Sequence, residues 1–123
     1  MENTPKKYNI EERLIGFAVM ILDLADQLPN TFAGKHLGGQ ITRSGTSPAL
    51  NYGEAQAAES NNDFYHKLCI CLKELRETQI CLKIIDQKGM IKKEISIPAL
   101  QESGELVAIF VKSVASAKLR KTK

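Results

Sequence analysis

This sequence predicts an all-α fold, a single up-down-up-down antiparallel four-helix bundle, and three observations carry the prediction. Apolar residues recur at steps of three and four in four segments. The breaks between those segments are short and rich in Pro, Gly, Asn and Ser. No stretch alternates with a period of two for long enough to make a strand. The 123 residues suit one compact domain spanning 1–123, and 43% apolar residues supply a core without disulfide staples. Short connections between amphipathic helices place consecutive helices side by side and antiparallel.

The first helix is expected over about 10–28, with Asn9 as cap, Glu12 at the reciprocal capping position and Pro29 as the stop. Ile10, Leu14, Phe17, Ile21, Leu24 and Leu28 fall on one narrow stripe at about 100° per residue. The second helix, over about 36–58, is weak by propensity, because Gly38, Gly39, Gly45 and Pro48 interrupt it. Proline removes one backbone hydrogen bond, so a kink near Pro48 is expected. The third, over about 62–88, is capped by Ser60, Asn61 or Asn62 and closed by Gly89. Its core positions Phe64, Leu68, Cys71, Leu75, Thr78, Leu82 and Ile85 keep heptad spacing. The fourth, over about 97–119, is expected to start near Ser96-Ile97-Pro98, with proline in its first turn, and to continue through Leu100, Val107, Phe110, Val114 and Ala117 into the basic tail.

Some apolar residues lie on the wrong face for a lone bundle. Ile15, Val19 and Leu22 sit roughly 120–180° from the first helix's core stripe, and Ile70, Ile80 and Ile84 on the third helix and Ile109 on the fourth are displaced in the same way. Stacked within two turns, such residues predict a second buried face made by self-association. A homo-oligomer is therefore expected.

The formal charge of +3 hides a polarity. The last twelve residues hold Lys112, Lys118, Arg120, Lys121 and Lys123 and no acid, whereas the preceding 111 carry a slight acidic excess. With Lys35 and Arg43 near the second helix, these bases are the candidate nucleic-acid contacts, since phosphate binding needs clustered cations. No aromatic residue interleaves the tail, which counts against single-strand stacking there.

Catalytic chemistry finds no foothold. Asp63, His66 and Cys69 share part of one helix face, yet His36 is the one remaining histidine, and a metal needs more ligands than these. Cys69 and Cys71 are about 200° apart on a helix and form no redox pair. Gly38-Gly39 follows no strand, and Ser44 and Ser47 have no histidine at a defensible spacing. No enzyme, cofactor or metal is expected. The apolar run LIGFAVMIL at 14–22 is too short to span a bilayer, and acids flank it at Glu11, Glu12, Asp23 and Asp26. Three cysteines without a CxxC pair fit a reducing compartment. A cytoplasmic protein without membrane contact is the expectation.

Residues 40–82, QITRSGTSPALNYGEAQAAESNNDFYHKLCICLKELRETQICL, carry a recognisable pattern. Gln40, Arg43, Ser47, Asn51 and Glu54 form its first half; Phe64, Leu68, Lys73, Glu74, Glu77 and Thr78 form its second. The stretch resembles the bacterial four-helix-bundle protein family that includes proteins encoded by intervening sequences within 23S rRNA genes. It departs from that pattern at Pro48, where many members have Ile, and at Gly53-Glu54-Ala55, where many have Ala-Glu-Gly. The resemblance implies a ring-like homo-oligomer, a pentamer, with no established enzymatic activity. It also implies kinship with a retroelement accessory protein that engages RNA and a reverse transcriptase through basic surfaces.

Arg43, Asn51 and Glu54 project to one side of a helix, at about 80° and 20° from Arg43. Beside small residues, they are expected to form a buried hydrogen-bond network that fixes helix register. Two functional readings follow: a non-catalytic oligomer that binds structured RNA or a ribonucleoprotein, or a self-assembling scaffold for a protein partner.

Overall fold

The computed structural model describes residues 9–121. They form four helices: α1 (Ile10–Asp26), α2 (Phe32–Gln56), α3 (Asn61–Lys88) and α4 (Lys93–Lys121). Among the described residues there is no strand, and no helix is long and apolar enough to cross a membrane.

Side chains cap the starts of α1, α2 and α3, and backbone amides beyond the last turn satisfy their terminal carbonyls. Asn9 Oδ1 accepts from the Glu12 amide at 3.0 Å and starts α1. The helix stops at Asp26, two residues before the expected limit, because Gln27 and Leu28 tighten the last turn by bonding to the Leu24 and Ala25 carbonyls. α2 starts at Phe32, four residues early, since Thr31 Oγ1 accepts from the Gly34 amide. It then continues as one helix through Pro48. Ser60 caps α3 through the Asp63 amide, and Gly89 ends it at φ +72°, with the Met90 amide reaching back to the Ile85 carbonyl.

α4 corrects the sequence reading most. It starts at Lys93, and Pro98 is its sixth residue, not part of its first turn. The missing proline N–H leaves only the Glu94 carbonyl without its helical donor, at an exposed residue where water can replace it. What fixes the earlier start is Asp86 at the end of α3. Its carboxylate accepts from Ser96 Oγ at 2.7 Å and from Lys93 Nζ at 3.0 Å, which hold it below the usual carboxylate range, the serine hydroxyl contributing most.

Contacts between consecutive helices run antiparallel. Ile21 meets Gly45 while Leu28 meets Gly38; Arg43 reaches Glu74 and Glu77 while Glu54 reaches Lys67; Asp86 meets Ser96 while Asn61 meets Arg120. α1 packs on α2 and more thinly on α4, so α1 and α3 occupy opposite corners. Leu14, Phe17, Ile21 and Leu24 face the axis from α1, as do six of the seven heptad residues of α3, with Phe64 half-buried. α2 contributes little bulk to this core. Its buried residues are Gly34, Ile41, Ser44, Gly45, Pro48 and Ala55, and the small ones let α1 and α3 close against its backbone. Cys71 is fully buried, with its thiol directed at the Pro48 carbonyl (3.5 Å), and burial pushes that thiol up to about 12.

Candidate functional site

The basic residues of the tail do not stand alone. α4 ends beside the start of α3, and Asn61 Nδ2 donates to the Arg120 carbonyl across that junction. The Arg120 guanidinium lies 5.9 Å from the centroid of Phe64, and Lys121 Nζ lies 4.9 Å from that of Tyr65. Sequence spacing along the tail concealed these rings because they come from another helix more than fifty residues away. The bundle interleaves what the chain does not.

Next to this junction is a cavity of about 320 Å³. Its apolar side is made by Phe64, Phe110 and Tyr52, and Lys112, Ser113 and Arg120 stand on its polar side. Tyr52 and Phe110 meet edge to face at 6.0 Å, and partial burial raises the Tyr52 phenol above its ordinary value. Lys112, Lys118, Arg120 and Lys121 are all exposed. This end of the bundle therefore combines exposed cations, flat rings and hydroxyls, the groups that contact phosphate, base and sugar.

The other predicted contacts fall elsewhere. Lys35 is exposed near the start of α2, at the opposite end of the bundle. Arg43 is committed to α3: its guanidinium pairs with Glu74 Oε1 at 3.0 Å and with Glu77 Oε1. Lys123 lies outside the described residues. Three of the seven candidate bases, Lys112, Arg120 and Lys121, thus border this cavity or its neighbouring rings, and Lys118 is exposed on the same last turns of α4.

The expected buried network of Arg43, Asn51 and Glu54 does not form. Spacing on one helix says which residues share a side, but not what faces them. Here the side faces α3, and each residue finds a different partner. Glu54 pairs with Lys67 at 2.8 Å, while Asn51 Nδ2 donates to Ser47 Oγ and to the Ser47 carbonyl on its own helix. Register is set by a clasp between α2 and α3 instead. Arg43 and its two glutamates form one part of it, and the bonded hydroxyls of Ser44 and Thr78 (2.9 Å) form another at the buried centre. The Arg43 guanidinium holds the Glu77 carboxyl below its usual range, and the Glu74 carboxylate is almost wholly buried beneath it. The residues of the sequence pattern at 40–82 therefore include those that lock these two helices together.

Among the apolar residues placed on the outer faces, Ile15, Val19, Leu22, Ile80 and Ile84 are exposed. Ile109 is not one of them; it is half-buried and packs against the core. Ile80 and Ile84 border a groove of about 500 Å³ between α2 and α3, whose floor includes Leu37, Ser44 and Cys81. Among the described residues, no group of three or more His, Cys, Asp or Glu side chains is placed to hold a metal ion. The Cys69 thiol is engaged with Tyr65, the hydrogen bond raising the phenol.

The sequence matches the family model for 23S rRNA-intervening sequence proteins over residues 6–112. The structure is similar to that of a protein of unknown function from the S23 ribosomal protein family of Bacteroides thetaiotaomicron. The TM-score is 0.79 at 32% identity, covering 85% of this chain and 97% of that one. No curated protein matches the chain significantly.

Proposed function

The chain belongs to the 23S rRNA-intervening sequence protein family, and from that premise we propose that it is a non-catalytic cytoplasmic protein that self-associates and binds structured RNA. Binding is through the α3–α4 end of the bundle, and assembly is into a ring-like homo-oligomer, a pentamer. The observation that supports the RNA reading is the pairing of cations with rings at that end: Arg120 with Phe64 and Lys121 with Tyr65, beside Lys112 and its cavity. Self-association is supported by the exposed aliphatic faces of α1 and α3. Repetition of the basic end around a ring multiplies a weak contact into a useful one.

Phosphate contacts release counterions, so affinity must fall steeply with salt. Fluorescence anisotropy with a structured rRNA fragment, titrated from low to physiological salt, checks this. Replacing Lys112, Lys118, Arg120 and Lys121 together by Gln is expected to flatten the log–log salt slope by about 3, at somewhat under one per lost contact. No retention of RNA at low salt, or a slope unchanged in the quadruple variant, would reject the reading. An RNA-independent protein partner recovered after nuclease treatment would favour a scaffold instead.

A further inference from the structure

We propose that the outer face of α1 of one copy docks into the α2–α3 groove of the next, so that the contact between copies is head-to-tail. The proposal rests on the self-association reading above and specifies the two surfaces that meet. On α1, Ile15, Val19 and Leu22 are 41–51% exposed and lie roughly 120–180° from the buried Phe17 and Leu24 stripe. On α3, Ile80 and Ile84 are at least half exposed and border a groove of about 500 Å³, the size class of cavities that accept a small ligand or a few side chains. α1 and α3 occupy opposite corners of the bundle. The two apolar faces therefore point in opposite directions, and one protomer cannot cover its own.

Charge selects the pairing. The α1 stripe runs between Glu11 and Glu12 at one end and Asp23 and Asp26 at the other, and the helix's one base, Arg13, is turned away to Glu102 and Glu105 of α4. The rim of the groove carries Lys73 and Arg76, with Lys83 on the same outer face of α3 and His36 on the α2 side. Glu77 also lines the groove, but its carboxylate is already held by Arg43. None of the four α1 acids, nor Lys73, Arg76 or Lys83, forms an ion pair with another described residue of the protomer. A two-fold contact of α1 on α1 would set acid against acid, and groove on groove would set base against base. Of these three pairings, α1 on groove is the one that brings opposite charges together around buried aliphatics. A contact of this heterologous kind repeats from copy to copy and makes a ring where its rotation closes.

Mass measurement by light scattering at micromolar concentration tests the pairing, with circular dichroism to confirm that each variant is folded. Val19→Asp damages the α1 face and Ile84→Asp the groove, both at exposed positions that leave the core intact. Each variant alone is expected to fall from the oligomer to a monomer of 13.6 kDa. Mixed, they retain one good α1 face and one good groove between them, so a 1:1 heterodimer of twice that mass is expected, with nothing larger. An oligomeric wild type with either variant unchanged, or with a mixture that stays monomeric, would overturn the pairing while leaving self-association standing. A monomeric wild type would overturn the self-association reading and the pairing with it.

Discussion

Phe17→Ala is expected to destabilise the protein by about 3–5 kcal/mol, the upper range for truncating a buried aromatic. Phe17 is 1% exposed and sits at the centre of the α1 stripe, between Leu14 and Ile21. α1 is held mainly by α2 and only thinly by α4. Both the lost transfer energy of the ring and the cavity it leaves in a close-packed core are felt. A domain of this size has a total stability of about 5–15 kcal/mol, so the loss is a large fraction of the whole. Urea unfolding followed by circular dichroism measures it, with an unchanged slope expected. A loss under about 1 kcal/mol would show that α1 is not packed as described.

Two glycines of α2 are expected to respond to alanine with opposite signs. Alanine is favoured over glycine inside a helix by about 1 kcal/mol. At Gly39 a new Cβ meets nothing within 4 Å, so that gain is realised and Gly39→Ala stabilises. At Gly45 the same Cβ would lie 2.7 Å from Ile21 Cγ2, 3.0 Å from its Cβ and 3.1 Å from its Cγ1. Ile21 is β-branched, fully buried and stiff at χ1, so it cannot turn aside, and α1 must move as a body. Overpacking of this kind costs about 1–3 kcal/mol. Gly45→Ala is therefore expected to lower stability by up to about 2 kcal/mol after the propensity gain is subtracted, and the two variants in one denaturation series check both signs. Equal effects would refute the close approach of α1 to α2.

The contrast between these glycines also explains what could be read in advance. The four helices were legible because α1 and α3 obey strict three-four spacing, and Leu14, Phe17, Ile21 and Leu24 of α1 and six heptad positions of α3 are buried as expected, whereas Glu74 and Cys81 are buried off the α3 stripe. The start of α2 was harder to see, since Thr31-Phe32-Ala33-Gly34 offers a cap but no apolar period behind it. The start of α4 was misplaced because its anchor, Asp86, belongs to the preceding helix. Residue spacing correctly put Arg43 and Glu54 on one side of α2. It carried no information about Glu74, Glu77 and Lys67 waiting on α3. The cation–ring pairs were hidden for the same reason: Phe64 and Arg120 become neighbours only when α3 and α4 pack antiparallel. Periodicity reports which way a residue faces, and packing decides what it finds.

Cys71 gives the bundle a recorder of its own openings. Alkylating reagents attack the thiolate, and burial has pushed this thiol up to about 12 as well as sealing it beneath Pro48. At neutral pH the native molecule is expected to lose half-buried Cys69 to the reagent first and Cys71 only when α2 lifts from α3. Intact-mass spectra taken over time then separate a fast first adduct from slow later ones, and the slow rate reports how often the clasp comes undone. Alkylation of Cys71 as fast as that of a free thiol would mean that α2 and α3 are not closed. A helix pair locked by pattern residues thus carries its own chemical clock, read without any added label.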